Sequence, residues 1–209
     1  MYLARNGKIA FFTLVAFFVF VLAGLSLAAP LTDAERSWLK QHGDDIILNF
    51  DPNIPPIEFV SKDGAYAGLA ADIVTLIEKQ LGVHFRKQPN EWFRILQELE
   101  EGAPVVSAAV TPTKSRAEFA LFTAPYVEIP IVIVARREFG EDKTLDDFGQ
   151  KKVAVVNDFA LEEVLREKYK GFFEIVEVED FKNGLRKVAF GHADAILISL
   201  AAASHYIEA

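Results

Sequence analysis

The sequence predicts an α/β fold in which two small α/β lobes are joined by an extended segment. From residue 45 onward, strand-like and helix-like stretches alternate twice, with short loops between them. Apolar positions in the helix-like stretches recur at helical spacing, and several of these stretches stop at a glycine such as Gly82 or Gly191. An apolar, β-branched run over residues 129–135 separates the two alternating units. Such alternation is typical of sheets covered by helices, here arranged as a hinged clamp.

Residues 1–28 are predicted to be an export signal. Arg5 and Lys8 precede an uncharged run over 9–27, and Ser26-Leu27-Ala28 places small residues where a signal peptidase cleaves. The run is also close to the length that spans a bilayer, so an uncleaved inner-membrane anchor through residues 9–27 is the alternative. In either case, the chain from residue 29 onward is predicted to be exported to the periplasm.

A leading helix is predicted within residues 29–44. Thr32 can cap the first free amides of this helix, while the Glu35 side chain reaches back to the amide of the cap residue. The helix is expected to end near His42, where Gly43 follows.

Lobe 1 is predicted over residues 45–130 as a parallel sheet with helices on both faces. Its predicted strands are 46–50, 83–86 and 105–110, and its predicted helices are 69–81 and 92–101; the stretch 58–60 lies between two turns after the first strand. Ligands of such sheets bind beyond the carboxyl ends of the strands. The loops over 51–56, 89–92 and 111–116 are therefore expected to share one rim.

Lobe 2 is predicted over residues 131–209 and repeats the same alternation. Its predicted strands are 153–156, 174–178 and 195–198, and its predicted helices are 160–169, 181–190 and a last one from residue 200. The polar stretch over 136–147 is where the chain enters this lobe.

Composition excludes several classes of function. With 22 basic and 30 acidic side chains, the net charge is −8. The sequence has no cluster of Lys and Arg that could bind the phosphates of a nucleic acid. The chain has no cysteine, which excludes thiolate metal sites and thiol nucleophiles. Its four histidines form no ligand pair at helical spacing, so neither a metal nor a cofactor is predicted.

Several motifs in order resemble a known family. They are Asp51-Pro52-x-x-Pro55-Pro56-x-Glu58-Phe59, Gly64-x-Tyr66-x-Gly68-x-x-x-Asp72, Thr111-Pro112-Thr113-x-x-Arg116, and Phe122-Thr123-x-Pro125-Tyr126. Together with 145–156 and the Gly191-x-Ala193-Asp194-Ala195 string, they resemble the bacterial extracellular solute-binding proteins of family 3. The likeness is strongest to the Venus-flytrap sensor domains that precede membrane histidine kinases or diguanylate cyclases, because a helix like 31–39 commonly precedes those domains. The resemblance implies the fold of a type 2 periplasmic binding protein. Family members continue past Ala209, so the last elements of lobe 1 are expected to be missing here.

The resemblance gives Arg116 the role of holding a ligand carboxylate, with Thr111 and Thr113 adding hydrogen bonds. Physical reasoning agrees, since a planar guanidinium beside free helix-start amides can donate two parallel bonds to a carboxylate. The structural alternative for Arg116 is a surface arginine paired with Glu118.

Five further residues correspond to family ligand positions. Trp92 stands where the family has an aromatic wall, although core packing at a helix start explains it equally well. Ile54 replaces the first aromatic wall of the family. Asp158 and Phe159 lie in the loop where the family often has small donors, and Asp158 has the alternative role of a helix N-cap. Ser199 stands where the family often has the acid that receives an α-amino group.

The hydroxyl of Ser199 cannot offset an ammonium charge in a desolvated cleft. We therefore expect a small carboxylate ligand rather than an ordinary α-amino acid, captured by hinge closure. The partner module would be an ABC permease in transport, or a sensor kinase or cyclase in signalling. Two alternatives are an enzyme resembling periplasmic cyclohexadienyl dehydratases, with Glu58, Glu91 or Asp158 as acid or base, and a degenerate sensor domain that binds nothing.

Overall fold

A computed structural model describes residues 31–208, with the side chain of Glu208 excepted. The chain divides into two units, one ending at Ser37 and one beginning at Trp38. Within the described residues, no helix has both the length and the apolar character needed to cross a bilayer. The predicted export signal over 1–28 lies outside the described residues.

The described chain contains six α-helices and ten strands. The helices are α1 Asp33–His42, α2 Leu69–Leu81, α3 Trp92–Glu100, α4 Ala160–Lys168, α5 Phe181–Ala189 and α6 Leu200–Glu208. The strands are β1 Ile47–Phe50, β2 Asn53–Ile54, β3 Glu58–Val60, β4 Tyr66–Ala67, β5 Arg86–Pro89, β6 Val105–Val106, β7 Ile131–Ala135, β8 Lys152–Val156, β9 Glu174–Val178 and β10 Ala195–Ser199.

Helix α1 starts as the sequence predicts. The Glu35 amide donates to the Thr32 hydroxyl at 3.3 Å, and the Glu35 carboxylate accepts from the Thr32 amide at 2.7 Å. These two reciprocal bonds satisfy donors that a helix start otherwise leaves free.

Two sheets draw all of their strands from residues up to 106. The first is the predicted parallel sheet, with the order β5-β1-β6. The second is a small antiparallel sheet, β2-β3-β4, which the sequence analysis did not predict as a sheet. It lies in the chain between β1 and α2, and its strand β2 is part of the proline-rich segment after β1.

Two predicted strands of the first sheet have different bounds. The predicted strand over 83–86 is wrong in position, because β5 begins at Arg86 and runs to Pro89. Residues before Arg86 serve other contacts: Val83 is buried against Gly43, and the Phe85 amide donates to the Glu78 carboxylate at 2.6 Å. The predicted strand over 105–110 is too long, because β6 pairs with β1 only through Val105 and Val106.

The third sheet draws its strands from residue 131 onward and has the order β7-β10-β8-β9. Strand β7 is antiparallel to β10, whereas β8 is parallel to both of its neighbours. Successive residues of β8 and β10 enter two different apolar clusters: Val153, Val155, Ala195 and Leu197 on one face, and Ala154, Val156, Ile196 and Ile198 on the other. Both faces are therefore buried, as expected for a central strand pair flanked by helices.

We use lobe 1 for residues 45–130 and lobe 2 for residues 131–208. The apolar, β-branched run of the sequence forms β7, the edge strand by which the chain enters lobe 2.

Candidate functional site

Arg116 begins a single turn of 3₁₀ helix, Arg116–Glu118, at the end of an irregular segment that follows β6. Its amide donates to the Thr113 hydroxyl at 3.2 Å, so Thr113 helps to hold the start of this turn, which Ser115 directly precedes. Its residue surface is only 5% exposed. This burial excludes the alternative of a surface arginine paired with Glu118.

The guanidinium of Arg116 has carbonyl partners on both sides. Nη1 donates to the carbonyl of Thr111 and Nη2 donates to the carbonyl of Asp158, each at 2.8 Å. Its central carbon lies 5.2 Å from the ring centroid of Trp92, within cation–π range. Thr111 thus contributes a backbone carbonyl, while the Thr113 hydroxyl also contacts Ser115 at 2.9 Å. The side chain of Arg116 therefore reaches from lobe 1 to the backbone of lobe 2.

The buried charge of Arg116 has no carboxylate directly paired with it. Among residues 38–207, none of the ion pairs within 4.0 Å includes this guanidinium. Burial lowers the pKa of Arg116, and the nearby charges of Glu163 and Asp158 act in the opposite direction. An arginine stays protonated in proteins, so burial leaves a cation that an anion would stabilise.

Trp92 lies at the first position of α3 and faces lobe 2. Its indole Nε1 donates to the carbonyl of Asp158 at 2.8 Å, and its ring meets the Phe159 ring edge-on, with centroids 5.6 Å apart. The side chain is therefore an interlobe contact and not a core residue of lobe 1.

The lobe 2 loop presents an acceptor where the family often has small donors. Asp158 has a positive φ of 59°, and its amide donates to the Glu162 carboxylate at 2.7 Å. The predicted N-cap role of Asp158 is wrong, because Phe159 is the residue that precedes α4, and no side-chain cap bond is formed there. The Asp158 carboxylate instead accepts from the Asn157 side chain at 3.2 Å.

Two predicted site residues join the lobes through apolar contact. Ile54, at the end of β2, packs against the buried cluster of lobe 2 that contains Val156, Phe181 and Ile198. Phe159 packs against the same cluster and contacts the Phe181 ring edge-on at 5.5 Å.

Ser199 is the last residue of β10 and directly precedes α6. Its hydroxyl accepts from the Ala202 amide at 3.3 Å, as a helix-capping side chain does. On the same helix, the Tyr206 hydroxyl donates to the Asn53 carbonyl in lobe 1 at 3.3 Å. Sequence reasoning missed Tyr206, and a lone tyrosine in a terminal helix gives no signal for such a contact.

Acidic groups gather near Tyr206. Asp51 is 6% exposed, and burial raises its pKa, with Asp180 and Glu91 adding repulsion. Burial also raises the pKa of Tyr206, and Asp180 and Asp51 add to the effect. Asp51 belongs to lobe 1 and Asp180 to lobe 2, so the repulsion between these two carboxylates acts from one lobe to the other. Sequence reasoning noted Asp51 only as part of a motif.

Glu58, one of the candidates for acid or base, is fully buried inside lobe 1. It accepts hydrogen bonds from the Asp51 amide at 3.1 Å and from the Tyr66 hydroxyl at 3.2 Å. Burial raises the pKa of Glu58 to about 7, although both hydrogen bonds act against this shift. Glu58 therefore fixes the loop that follows β1 and cannot touch a solute without rearrangement.

The described residues offer no cluster of three or more His, Asp or Glu side chains placed to hold a metal ion. The chemical resources of the interlobe region are one buried cation, aromatic rings, carbonyl acceptors and peripheral acids. This set suits recognition of a small polar solute between two lobes.

Comparison with known proteins agrees with that class. Residues 46–187 match the family model of the bacterial extracellular solute-binding proteins, family 3. The chain belongs to this family, and its fold is that of a type 2 periplasmic binding protein.

Relatives include sensor proteins and structures of binding proteins. Sensor protein EvgS of Escherichia coli O157:H7 is 27% identical over 177 residues, which cover 84% of this chain and 14% of that protein. The crystal structure of a histidine kinase sensor domain with similarity to periplasmic binding proteins is 25% identical, with a TM-score of 0.72, and covers 78% of this chain and 71% of that chain. The ancestral amino acid-binding protein AncCDT-1, a precursor of cyclohexadienyl dehydratase, is 25% identical with a TM-score of 0.71, and covers 83% of this chain and 78% of that chain. The chain thus spans about one seventh of the sensor protein's length.

Proposed function

We propose that this domain captures a small carboxylate between its two lobes, with Arg116 as the main contact. The supporting observation is a guanidinium that is 5% exposed, directed at the other lobe and bonded only to carbonyl groups among residues 38–207. A carboxylate forms stronger, charge-assisted bonds with a guanidinium than a neutral carbonyl does. Replacement of a carbonyl partner of Arg116 by a ligand carboxylate is therefore electrostatically favourable.

The carboxylate is the essential recognition element in this proposal. Ser199 supplies a hydroxyl where the family often has an acid, which favours organic acids over α-amino acids. Asp51 and Asp180 could instead stabilise an ammonium group, so amino acids form the second ligand class to be tested. Trp92, Ile54 and Phe159 supply the apolar walls.

Binding is a better account than catalysis. Glu58 is buried within lobe 1 and fully engaged, and the Asp158 carboxylate accepts from its neighbour Asn157. A dehydratase would need a free acid or base beside Arg116, whereas Glu58 is buried away from it and the Asp158 carboxylate is bonded to Asn157.

We propose that ligand binding to this domain is the input of a sensor protein. The EvgS relative and the structure of a histidine kinase sensor domain support this role. A permease partner is the alternative, in which the same closure delivers the solute for transport. An open reading frame that continues into a membrane span and a kinase or cyclase would support the sensor role, whereas a neighbouring permease gene would support transport.

The mechanism we propose is movement of the lobes about the segment that leads into β7. A ligand that binds the closed arrangement more tightly than the open one shifts the population toward closure.

A thermal-shift screen of the full chain tests the ligand class. Organic acids and amino acids are compared at equal concentration, with the corresponding amides as matched neutral controls. We expect stabilisation by acids and none by amides, because only a carboxylate neutralises Arg116. Stabilisation by amides as strong as that by acids contradicts the proposal, and a flat screen favours a domain that has lost binding.

A further inference from the structure

One backbone oxygen joins the lobes at the proposed ligand contact. The carbonyl of Asp158 in lobe 2 accepts from Trp92 Nε1 and from Arg116 Nη2, each at 2.8 Å. A carbonyl oxygen has two lone pairs, and both are used here. Both donors come from lobe 1, so this oxygen ties one lobe to the other.

The Asp158 carbonyl is held in place from within lobe 2. The Asp158 amide donates to Glu162, and the Glu162 carboxylate is in turn bonded to Arg166 Nε at 2.7 Å. Phe159 packs edge-on against Phe181 on the other side of the loop. The residue keeps a left-handed φ of 59°, which aspartate adopts more readily than most residues. The acceptor is therefore preorganised and does not depend on the Asp158 side chain.

A ligand carboxylate between the lobes would need the space that this carbonyl occupies and the Nη2 donor that it uses. Arg116 is 5% exposed, its two terminal nitrogens already donate to carbonyls, and the Trp92 ring lies within cation–π range. A solute can reach the guanidinium only if the Asp158 loop moves away. Ligand and loop thus compete for one cation.

We infer that the Asp158 carbonyl is an internal competitor of the ligand. Its hydrogen bonds from Trp92 and Arg116 form a latch that holds the ligand-free lobes together, and a carboxylate must displace it before the lobes close again on the solute. The latch does not depend on which ligand binds. Its displacement by a carboxylate rests on the proposed function. It follows that weakening the latch should separate the lobes without ligand and should also make a carboxylate bind more tightly.

Trp92→Phe tests the latch because it removes the indole donor but keeps an aromatic ring. The chain has no cysteine, so Glu100→Cys and Glu167→Cys introduce unique sites for nitroxide labels on the exposed faces of α3 and α4. Distances between the two nitroxide labels are measured by pulsed electron paramagnetic resonance on the full chain without added solute. We expect a longer and broader distribution for Trp92→Phe than for the parent.

Two controls accompany this variant. Trp38→Phe makes the same change in α1, where the residue is 54% exposed, and should leave the distribution unchanged. Asp158→Asn keeps the backbone carbonyl and tolerates a left-handed φ, so it should also keep the parent distribution. An unchanged distribution in Trp92→Phe overturns the latch, and so does a shift in Asp158→Asn as large as that in Trp92→Phe.

A titration with acetate, the simplest carboxylate, tests the competition. Loss of one hydrogen bond should lower the half-saturating concentration in Trp92→Phe about two- to tenfold. Weaker acetate binding by this variant overturns the competition. No response to acetate or to larger carboxylates in either protein contradicts the proposed function, while the ligand-free distances still decide the latch.

Discussion

The carboxylate of Glu58 accepts a hydrogen bond from the backbone amide of Asp51, 3.1 Å away, inside lobe 1. This bond links β3 to the residue that directly follows β1. It places a fully buried titratable group directly behind a segment that contacts lobe 2 through Ile54 and the Asn53 carbonyl.

Stability should fall as pH rises, because of Glu58. Its pKa is raised to about 7 in the folded protein from an ordinary value of 4.5. Between these two values the folded state holds more protons than the unfolded state, so the free energy of unfolding decreases with pH. The loss should be roughly 3 kcal/mol once the pH exceeds 7. Urea denaturation at intervals from pH 4.5 to 8 measures it.

Glu58→Gln is the matched variant for this pH dependence. Its amide oxygen can accept from Asp51 and Tyr66 without ionising, so the slope should shrink and the variant should exceed the parent in stability at pH 8. A residual slope is expected from Asp51, whose pKa is also raised. A variant that retains the full slope of the parent would contradict the assignment to Glu58.

Arg116→Ala should weaken binding of a carboxylate ligand by roughly ten- to a hundredfold or more. A buried, charge-assisted hydrogen bond contributes about 1.5 to 3 kcal/mol, and Arg116 can donate two of them. Calorimetric titration with a ligand found by the thermal-shift screen measures the change. Arg94→Ala, which removes an exposed arginine on α3, is the control and should bind as the parent does. Equal affinity in the Arg116 variant would remove this residue from the site.

Gly184→Ala should destabilise lobe 2 by about 1 to 3 kcal/mol. A Cβ at Gly184 would lie 2.4 Å from Cδ1 of Ile196 and 3.2 Å from Cγ2 of Val178. Ile196 is fully buried, so its end has little room to move, and the clash outweighs the gain of about 1 kcal/mol in helix propensity.

Ile196→Val provides the rescue for Gly184→Ala, because it deletes the clashing Cδ1. In a double-mutant cycle measured by thermal denaturation, the pair should be less destabilised than the sum of the single changes. Simple additivity would mean that the strain lies elsewhere.

Glu78→Ala should cost about 1 to 3 kcal/mol of stability. The Glu78 carboxylate is buried, accepts from the Phe85 amide at 2.6 Å and forms an ion pair with Lys87. Its loss leaves the amide without its side-chain acceptor and Lys87 without its counter-charge. Lys79→Ala, an exposed neighbour on the same helix, should change the denaturation midpoint far less.

Local patterns were enough to predict the helices, but not all of the strands. Helix α2 runs over Leu69–Leu81 as predicted, and Gly82 marks its end. Its buried face was not predicted as well, because Leu69 and Ile77 are exposed whereas Ala70, Ala71 and Glu78 are buried beside Val74. The start of β5 was not predictable in this way. It depends on a carboxylate of α2 that takes the Phe85 amide, and a side-chain acceptor seven residues earlier leaves no periodic trace.

The candidate site was also predictable only in part. Motif spacing drew attention to Arg116, Trp92 and Asp158, and the structure brings these three residues together. The Asp158 contact depends on a backbone carbonyl 42 residues from Arg116 in the chain, and every residue type carries such a carbonyl. The side-chain types therefore indicated where the site lies, but they did not indicate the hydrogen bond from Arg116 to the Asp158 carbonyl.

The position of Ile54 against the apolar cluster of lobe 2 has a thermal consequence. Separation of the lobes must hydrate this contact, and hydration of apolar surface raises the heat capacity. Because apolar association weakens on cooling, the lobes should part more readily in the cold than near room temperature. Separation of the lobes should therefore depend on temperature as well as on any solute bound between them.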